Sequence, residues 1–488
     1  MKMNGKISGF ASFALAALLS VSAFSACGDS GSGRAPETTA SSPDIAAETT
    51  MSEEEMRYSG LPEGDFEGAS FMILQYEEIA PSSGTVCVDE LTGEPINDAA
   101  YERTQAVAEK LNVSIGFLNT SMDDTSRIVK QTVSAGEDTY QAVFQGSTRV
   151  PSDMLSQGYI LDQNTLPGID FSREWWNANA IDSVRLNERT YMSFGDINYY
   201  LLDFMSVLMF SKPVVEDYGL SDIYSVVDSG AWTIDAFLDM CVAAAHDLNG
   251  DGALGKKDDL IGYAGYVSQA DLAFSHAADA ELFSRGDDGA VKYDGVSEKY
   301  FNVMKKYSDV IGKKEYALHN DTWRDRFRAG TLLFCGLSVG ELSMMRDLEF
   351  DYGIAPFPKY DESQERYIAY VTDQMQPLAV PVTVSDTELC GAVIENMAAE
   401  SCRRIRDKYF SVLIDSKYVR DEESVKNLRM LYDGDIRFEI ARIYNWAKVG
   451  DAIWGAIGGK ADKFISNMEK LQPTLEAAME KTMEAVSQ

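Results

Sequence analysis

The segment DLNGDGALGKKD, from Asp247 to Asp258, puts oxygen-bearing side chains at its first, third, fifth and twelfth positions and a glycine at its sixth. That spacing suits a hard divalent cation, which gathers carboxylate and carbonyl oxygens around a turn sharp enough to need glycine. Asp247, Asn249, Asp251 and Asp258 would supply side-chain oxygens, and Ala253 a backbone carbonyl. Two departures set the loop apart from a calcium sensor. Its twelfth residue is Asp258, not the longer Glu that chelates through both oxygens, and LIGYAGY beyond it reads as extended chain. A sensor also works by opening paired helices, and the sequence contains no partner loop. The expectation is a structural Ca2+ clamp; the alternative is a pair of Asn-Gly and Asp-Gly turns with solvated acids.

Other reactive chemistry is sparse. The chain has three histidines, His246, His276 and His319. It has no HExxH, no glycine-flanked nucleophilic serine and no phosphate loop. A glycosidase needs only two carboxylates at a set separation, and 77 acidic residues leave that open. Beyond Cys27, the cysteines are Cys87, Cys241, Cys335, Cys390 and Cys402, widely spaced and without CxxC, so buried thiols are expected, with room for one bridge.

Aromatic rings can stack on the C–H face of a pyranose. Of the six tryptophans, Trp175 and Trp176 follow an Asp-Phe-Ser turn and are expected to pack internally. Trp232 precedes a helix cap like a hydrophobic staple. Trp323, in the polar stretch HNDTWRDRF, and Trp446, in IYNWAKVG, are the cleft candidates.

The elements that would position such groups alternate. FMILQY (Phe71–Tyr76), VSIGFL (Val113–Leu118) and YQAVFQGS (Tyr140–Ser147) read as strands separated by helices over Ala99–Leu111 and through Ile128 and Val129. This order predicts a parallel sheet with right-handed crossovers. Ligands gather at the carboxyl ends of such strands, so Tyr76–Glu78 and Gln145–Arg149 are candidate loops. YMSFGDINYYLLDFMSVLMFSK reads as two strands, and a helix follows a cap at Thr233. GTLLFCG, DYGIAPFPK and QPLAVP read as strands, SVGELSMMRDL starts a helix at Ser338, and helices dominate from about Glu388. The fold class is α/β with two lobes.

The chain has 488 residues, 45% of them hydrophobic, and a formal net charge of −34. That charge repels phosphate backbones and disfavours nucleic-acid partners. At the start, Lys2 and Lys6 precede a small apolar run ending in FSAC, a secretory signal over 1–26 with a lipobox-like Cys27. Residues 27–60 are rich in Gly, Ser, Thr, Pro and acid and read as a tether. Beyond the signal, no run is long enough to cross a bilayer.

In order, FSAC, QGYILDQNTLP, the Trp175–Trp176 pair, SFGDIN, LMFSKPVVEDYGL, SGAWTIDAFLDM, DLNGDG, GTLLFCG, DYGIAPFPKYDESQERY and YVRDEESVKNLRML resemble extracellular solute-binding proteins of ABC importers, family 1 type. The branch that handles carbohydrates is the most similar. The resemblance implies a class II periplasmic-binding-protein fold, with two α/β lobes joined by a hinge. It assigns 65–202 and 373–412 to the first lobe, and 203–372 and 413–488 to the second. It implies a monomer, lipid-anchored through Cys27 on the outer face of a bacterial membrane, that captures a sugar or oligosaccharide for permease subunits without catalysis. A receptor for peptides or another polar solute, and a surface glycoside hydrolase, are the alternatives. By resemblance and strand-end position, Glu77, Gln145, Asp196, Asn198, Asp203 and Asp373 would meet sugar hydroxyls, Tyr266 would add a ring, and Trp323 and Trp446 would stack.

Overall fold

The computed structural model describes residues 52–77, 86–255, 258–265, 270–286, 288–319, 322–416 and 418–487. The signal segment, Cys27, most of the tether and Tyr266 lie outside them. Residues 57–488 form one compact unit, which contains all the features below.

Strand β1 (Ala69–Tyr76) is buried along its last four residues, as a strand covered on both faces must be. It pairs in parallel with β2 (Val113–Thr120) on one side and β3 (Ala142–Phe144) on the other. The connecting helices carry their own boundary signals. Pro95–Leu111 has proline in its first turn and ends on left-handed Asn112. Met122–Ala135 is capped by Ser121 and ends on left-handed Gly136.

A second sheet follows. It contains β4 (Ser206–Ser211), β5 (Ile261–Gly265), β8 (Ala317–His319), β9 (Leu332–Ser338) and β10 (Tyr352–Ala355), in the order β10-β4-β9-β5-β8. A small hairpin, β6 (Phe283–Arg285) with β7 (Val291–Tyr293), stands beside it. Next, β11 (Ile368–Tyr370) leads the chain back to β12 (Leu378–Ala379), which joins the first sheet antiparallel to β3. β13 (Asp435–Arg437) lies parallel to β11.

The chain therefore leaves the first sheet just before β4 and returns just after β11. The two crossings touch. Met205 bridges Val371 antiparallel, and Thr372 N donates to Phe204 O at 3.0 Å. Val371 N also donates to Arg437 O at 2.9 Å, which adds the β13 strand to the crossing.

Each sheet has its own apolar anchors. In the first, Glu395 on the Thr387–Ser401 helix is 2% exposed and accepts both indole N–H groups, from Trp175 and from Trp176, at 2.9 Å each. Burial pushes this carboxyl up to about 7 despite those bonds. In the second, Trp232 is fully buried, donates to Pro356 O at 2.8 Å and meets Phe237 edge-on. The five cysteines of the described chain are free and buried.

Three expectations need correction. The stretch from Tyr191 is not two strands: Asp196–Phe204 winds into 3-10 turns before β4 begins. Its residues are buried on every side, so the alternation that marks a strand carries no information there. The tether does not run to residue 60, because Tyr58 stacks on Trp175 with centroids 5.9 Å apart. The last residues do not stay with the second lobe. Phe464 stacks on Tyr300, but at the far end of the same helix Arg189 donates to Val486 O.

Candidate functional site

A cleft of about 460 Å³ opens where the crossings meet the carboxyl end of β3. Thr148, Arg149 and Ser152 form one wall, Asp373 on the returning crossing and Arg442 form the floor, and Asn445, Lys448 and Asp451 form the other wall.

Local chemistry sets each wall. After β3, Gln145 Nε2 donates to Met122 O at 2.7 Å and to Ser126 Oγ at 3.0 Å, and its Oε1 accepts from Gly146 N. Ser147 Oγ donates to Asp373 O at 2.6 Å, which ties the loop to the crossing. Arg149 then lies at the surface, paired with Asp123 at 2.9 Å and Asp153 at 3.4 Å.

Opposite, the backbone is strained. Asn445, Ala447 and Lys448 have φ of +54°, +52° and +55°. Asn tolerates the left-handed region, but for other L residues it costs about 1–2 kcal/mol each. Such strain persists only where surroundings impose it, and it clusters at binding sites. Here the constraints are Tyr444 Oη donating to Val184 O at 2.7 Å and Trp446 Nε1 donating to Thr482 Oγ1 at 3.0 Å. With Tyr444 and Trp446 held inward, Asn445 and Lys448 are left exposed at the rim.

The expected site residues divide. Asp373 lines the cleft, and Glu77 is exposed at the end of β1. Tyr266 is outside the described residues. The others are committed to internal bonds. Gln145 is spent on its own turn. Asp196 is buried against Arg406 and accepts from Tyr432 Oη at 2.7 Å; burial raises its carboxyl above the usual range, outweighing both partners. Asn198 donates to Gln376 O at 2.6 Å, and Asp203 accepts from Tyr409 Oη.

Trp323 and Trp446 are each 1% exposed, so their faces are already covered by protein, and their placement in the cleft is corrected. Trp446 stacks on Tyr444 and packs on Phe283; Trp323 carries Arg324 over its ring. Of the residues that line the cleft, Arg149 lies in a loop the sequence reading marked, whereas Arg442, Asn445 and Lys448 were not singled out. The IYNWAKVG segment borders the cleft, but its ring points inward and its polar neighbours point out.

In the DLNGDG loop, the side-chain oxygens turn onto the loop's own backbone. Asp247 accepts from Gly250 N and Gly252 N at 2.7 Å each, Asn249 from Asp251 N at 2.8 Å, and Asp251 from Ala253 N at 3.0 Å. Gly252 has φ +81°, as the sixth position of a cation loop requires. His246 and Leu260 close the loop with a two-bond bridge, and β5 follows, so the exit is a strand. Among the described residues, no three acidic, His or Cys groups converge as metal ligands.

No family model matches the chain, and no curated protein matches it. Solved structures do. A sugar transporter from Rhizobium etli in an open conformation aligns with TM-score 0.56 at 12% identity, covering 84% of this chain and 100% of its own. A family 1 extracellular solute-binding protein from Bifidobacterium longum subsp. infantis aligns with TM-score 0.52 at 14% identity, covering 85% and 98%. A cyclic alpha-maltosyl-1,6-maltose binding protein from Arthrobacter globiformis gives 0.52 at 13%, covering 86% and 99%. The chain has the class II periplasmic-binding-protein fold, two α/β lobes joined by a hinge.

Beyond β5, Asp271 accepts from Tyr263 Oη at 2.9 Å and faces His319 Nδ1 at 2.9 Å, while His319 Nε2 faces Ile311 O at 2.8 Å. Both ring nitrogens meet acceptors, which only the imidazolium can satisfy with two N–H donors. Burial opposes that charge, but Asp271 and the Ile311 carbonyl outweigh it and hold the pKa up at about 9. A histidine raised in this way from 6.5 adds stability that is complete below pH 6.5 and is lost as pH climbs through about 9. Wild type should therefore lose roughly 1–3 kcal/mol more than His319→Gln across that window in denaturant titrations. Parallel pH curves for the two proteins would contradict the pairing.

Proposed function

We propose that this protein is the substrate-binding lipoprotein of an ABC importer. It captures a sugar or oligosaccharide between its lobes and presents it to permease subunits, working as a monomer tethered through lipidated Cys27 on the outer face of a bacterial membrane. The observation that carries the reading is the cleft itself, walled from both sides and floored by the crossings. A ligand that touches both walls binds the closed arrangement better than the open one, and stabilises it by that difference. Capture needs no catalyst. The two cleft carboxylates also make a poor acid–base pair, since Asp373 is 2.7 Å from the Arg442 guanidinium.

The DLNGDG loop, in this reading, is a Ca2+ clamp that holds the approach to β5. Asp247, Asn249, Asp251, Asp258 and the Ala253 carbonyl would be its ligands.

Two measurements test these statements. In a melting-temperature screen against mono- and oligosaccharides, one sugar class should stabilise the protein by about 2.7 kcal/mol at roughly a hundredfold excess over Kd. That sugar should be recovered intact. Shortened product would favour a surface glycoside hydrolase, and stabilisation by peptides alone would favour a peptide receptor. For the clamp, Asp251→Ala should lower the melting temperature in calcium buffer and not in chelator; an equal loss in both rejects it.

A further inference from the structure

Beside the Asp451 carboxylate, the cleft offers several donors. Arg442 Nε lies 2.7 Å from Asp373 Oδ2 as an ion pair, yet too far off line for a hydrogen bond. Its two terminal nitrogens have no acceptor among the described residues, and the guanidinium lies over the Trp454 ring at 5.3 Å. A guanidinium held beside a ring, with its terminal nitrogens unpaired among the described residues, can grip an oxyanion through two parallel bonds. The Trp454 indole N–H is likewise buried without an acceptor among the described residues. Lys448 forms no ion pair among the described residues and is held at the rim by its strained backbone. Arg149 stands across the cleft, its guanidinium paired with Asp123 and Asp153.

In a chain of 43 basic and 77 acidic residues, the lining of this cleft has three cations, Arg149, Arg442 and Lys448, and two carboxylates, Asp373 and Asp451; Arg442 is paired with Asp373, and Arg149 with Asp123 and Asp153. A neutral sugar hydroxyl both donates and accepts, and would leave such a donor set underused. A carboxylate accepts only, through two oxygens.

We infer that the captured solute is an anionic sugar, its acidic group seated on the Arg442 fork with Lys448 and Arg149 on either side. This rests on the sugar-capture reading above.

The test is calorimetric titration with matched pairs, each uronic acid against its neutral parent: glucuronate with glucose, galacturonate with galactose, and their di- and trisaccharides. Sulfated sugars of the same sizes form a third arm. The acidic member of the preferred pair should bind about tenfold or more tighter, as a charge-assisted fork allows. Arg442→Gln should abolish that ratio. Lys448→Gln, at an exposed position that the fold does not depend on, should lower it about threefold while the melting temperature holds. Preference for the sulfated arm would keep the anion and replace carboxylate by sulfate. A neutral member that binds as well as its acid, or a ratio unmoved in Lys448→Gln, overturns the inference and leaves sugar capture standing. If no sugar of any arm binds, capture itself falls and the inference falls with it.

Discussion

The structure depends on a short antiparallel contact, Phe204–Met205 against Val371–Thr372, where two of the chain's crossings lie side by side. A contact of so few bonds has little to resist bending or twisting. On either side of it the chain is fastened firmly. Towards the first sheet, Asn198 and Tyr200 hold Gln376, and Gln376 Nε2 donates to Tyr76 O at 3.2 Å, so the returning crossing is tied to the carboxyl end of β1. Towards the second, β13 lies along β11, and His276 stacks on Tyr370 at 5.1 Å. Two sheet-centred bodies meeting at such a join, with Tyr444–Val184 and Arg189–Val486 as further ties, are the arrangement that hinge closure uses.

The polar residues of the interior serve the stiffness. Glu395 satisfies two tryptophans, Asp196 joins Arg406 and Tyr432, and Asp271 joins Tyr263 and His319. Each is a buried network whose members find partners, and breaking one member would strand the others at a cost well above the value of a surface pair. The cleft differs in its strained rim, where Asn445, Ala447 and Lys448 have positive φ.

Much of this was legible in the chain. The β1–helix–β2–helix–β3 order, the Thr233 cap and the strand after the DLNGDG loop follow from apolar periodicity and capping chemistry, which act over a few residues. The loop after β3 and the 444–449 segment were legible as places. Which side chains face the cleft was not. Trp446 and Asn445 are neighbours, and a left-handed turn decides that the ring goes in and the amide stays out. Asp196, Asn198 and Asp203 look like free polar groups because their partners Arg406, Gln376 and Tyr409 are distant in sequence. No local pattern announces a bond across two hundred residues. Arg442 and Trp454 are only twelve residues apart, but their contact depends on the turn between the C-terminal helices, which no local pattern shows.

The central claim is that the lobes close on a bound solute by rotating about the paired crossings. Small-angle scattering of the purified protein, with and without a saturating solute identified by melting-temperature shift, addresses it directly. The account requires a smaller radius of gyration in the bound state. Superimposable profiles, with binding confirmed in the same sample, would contradict it.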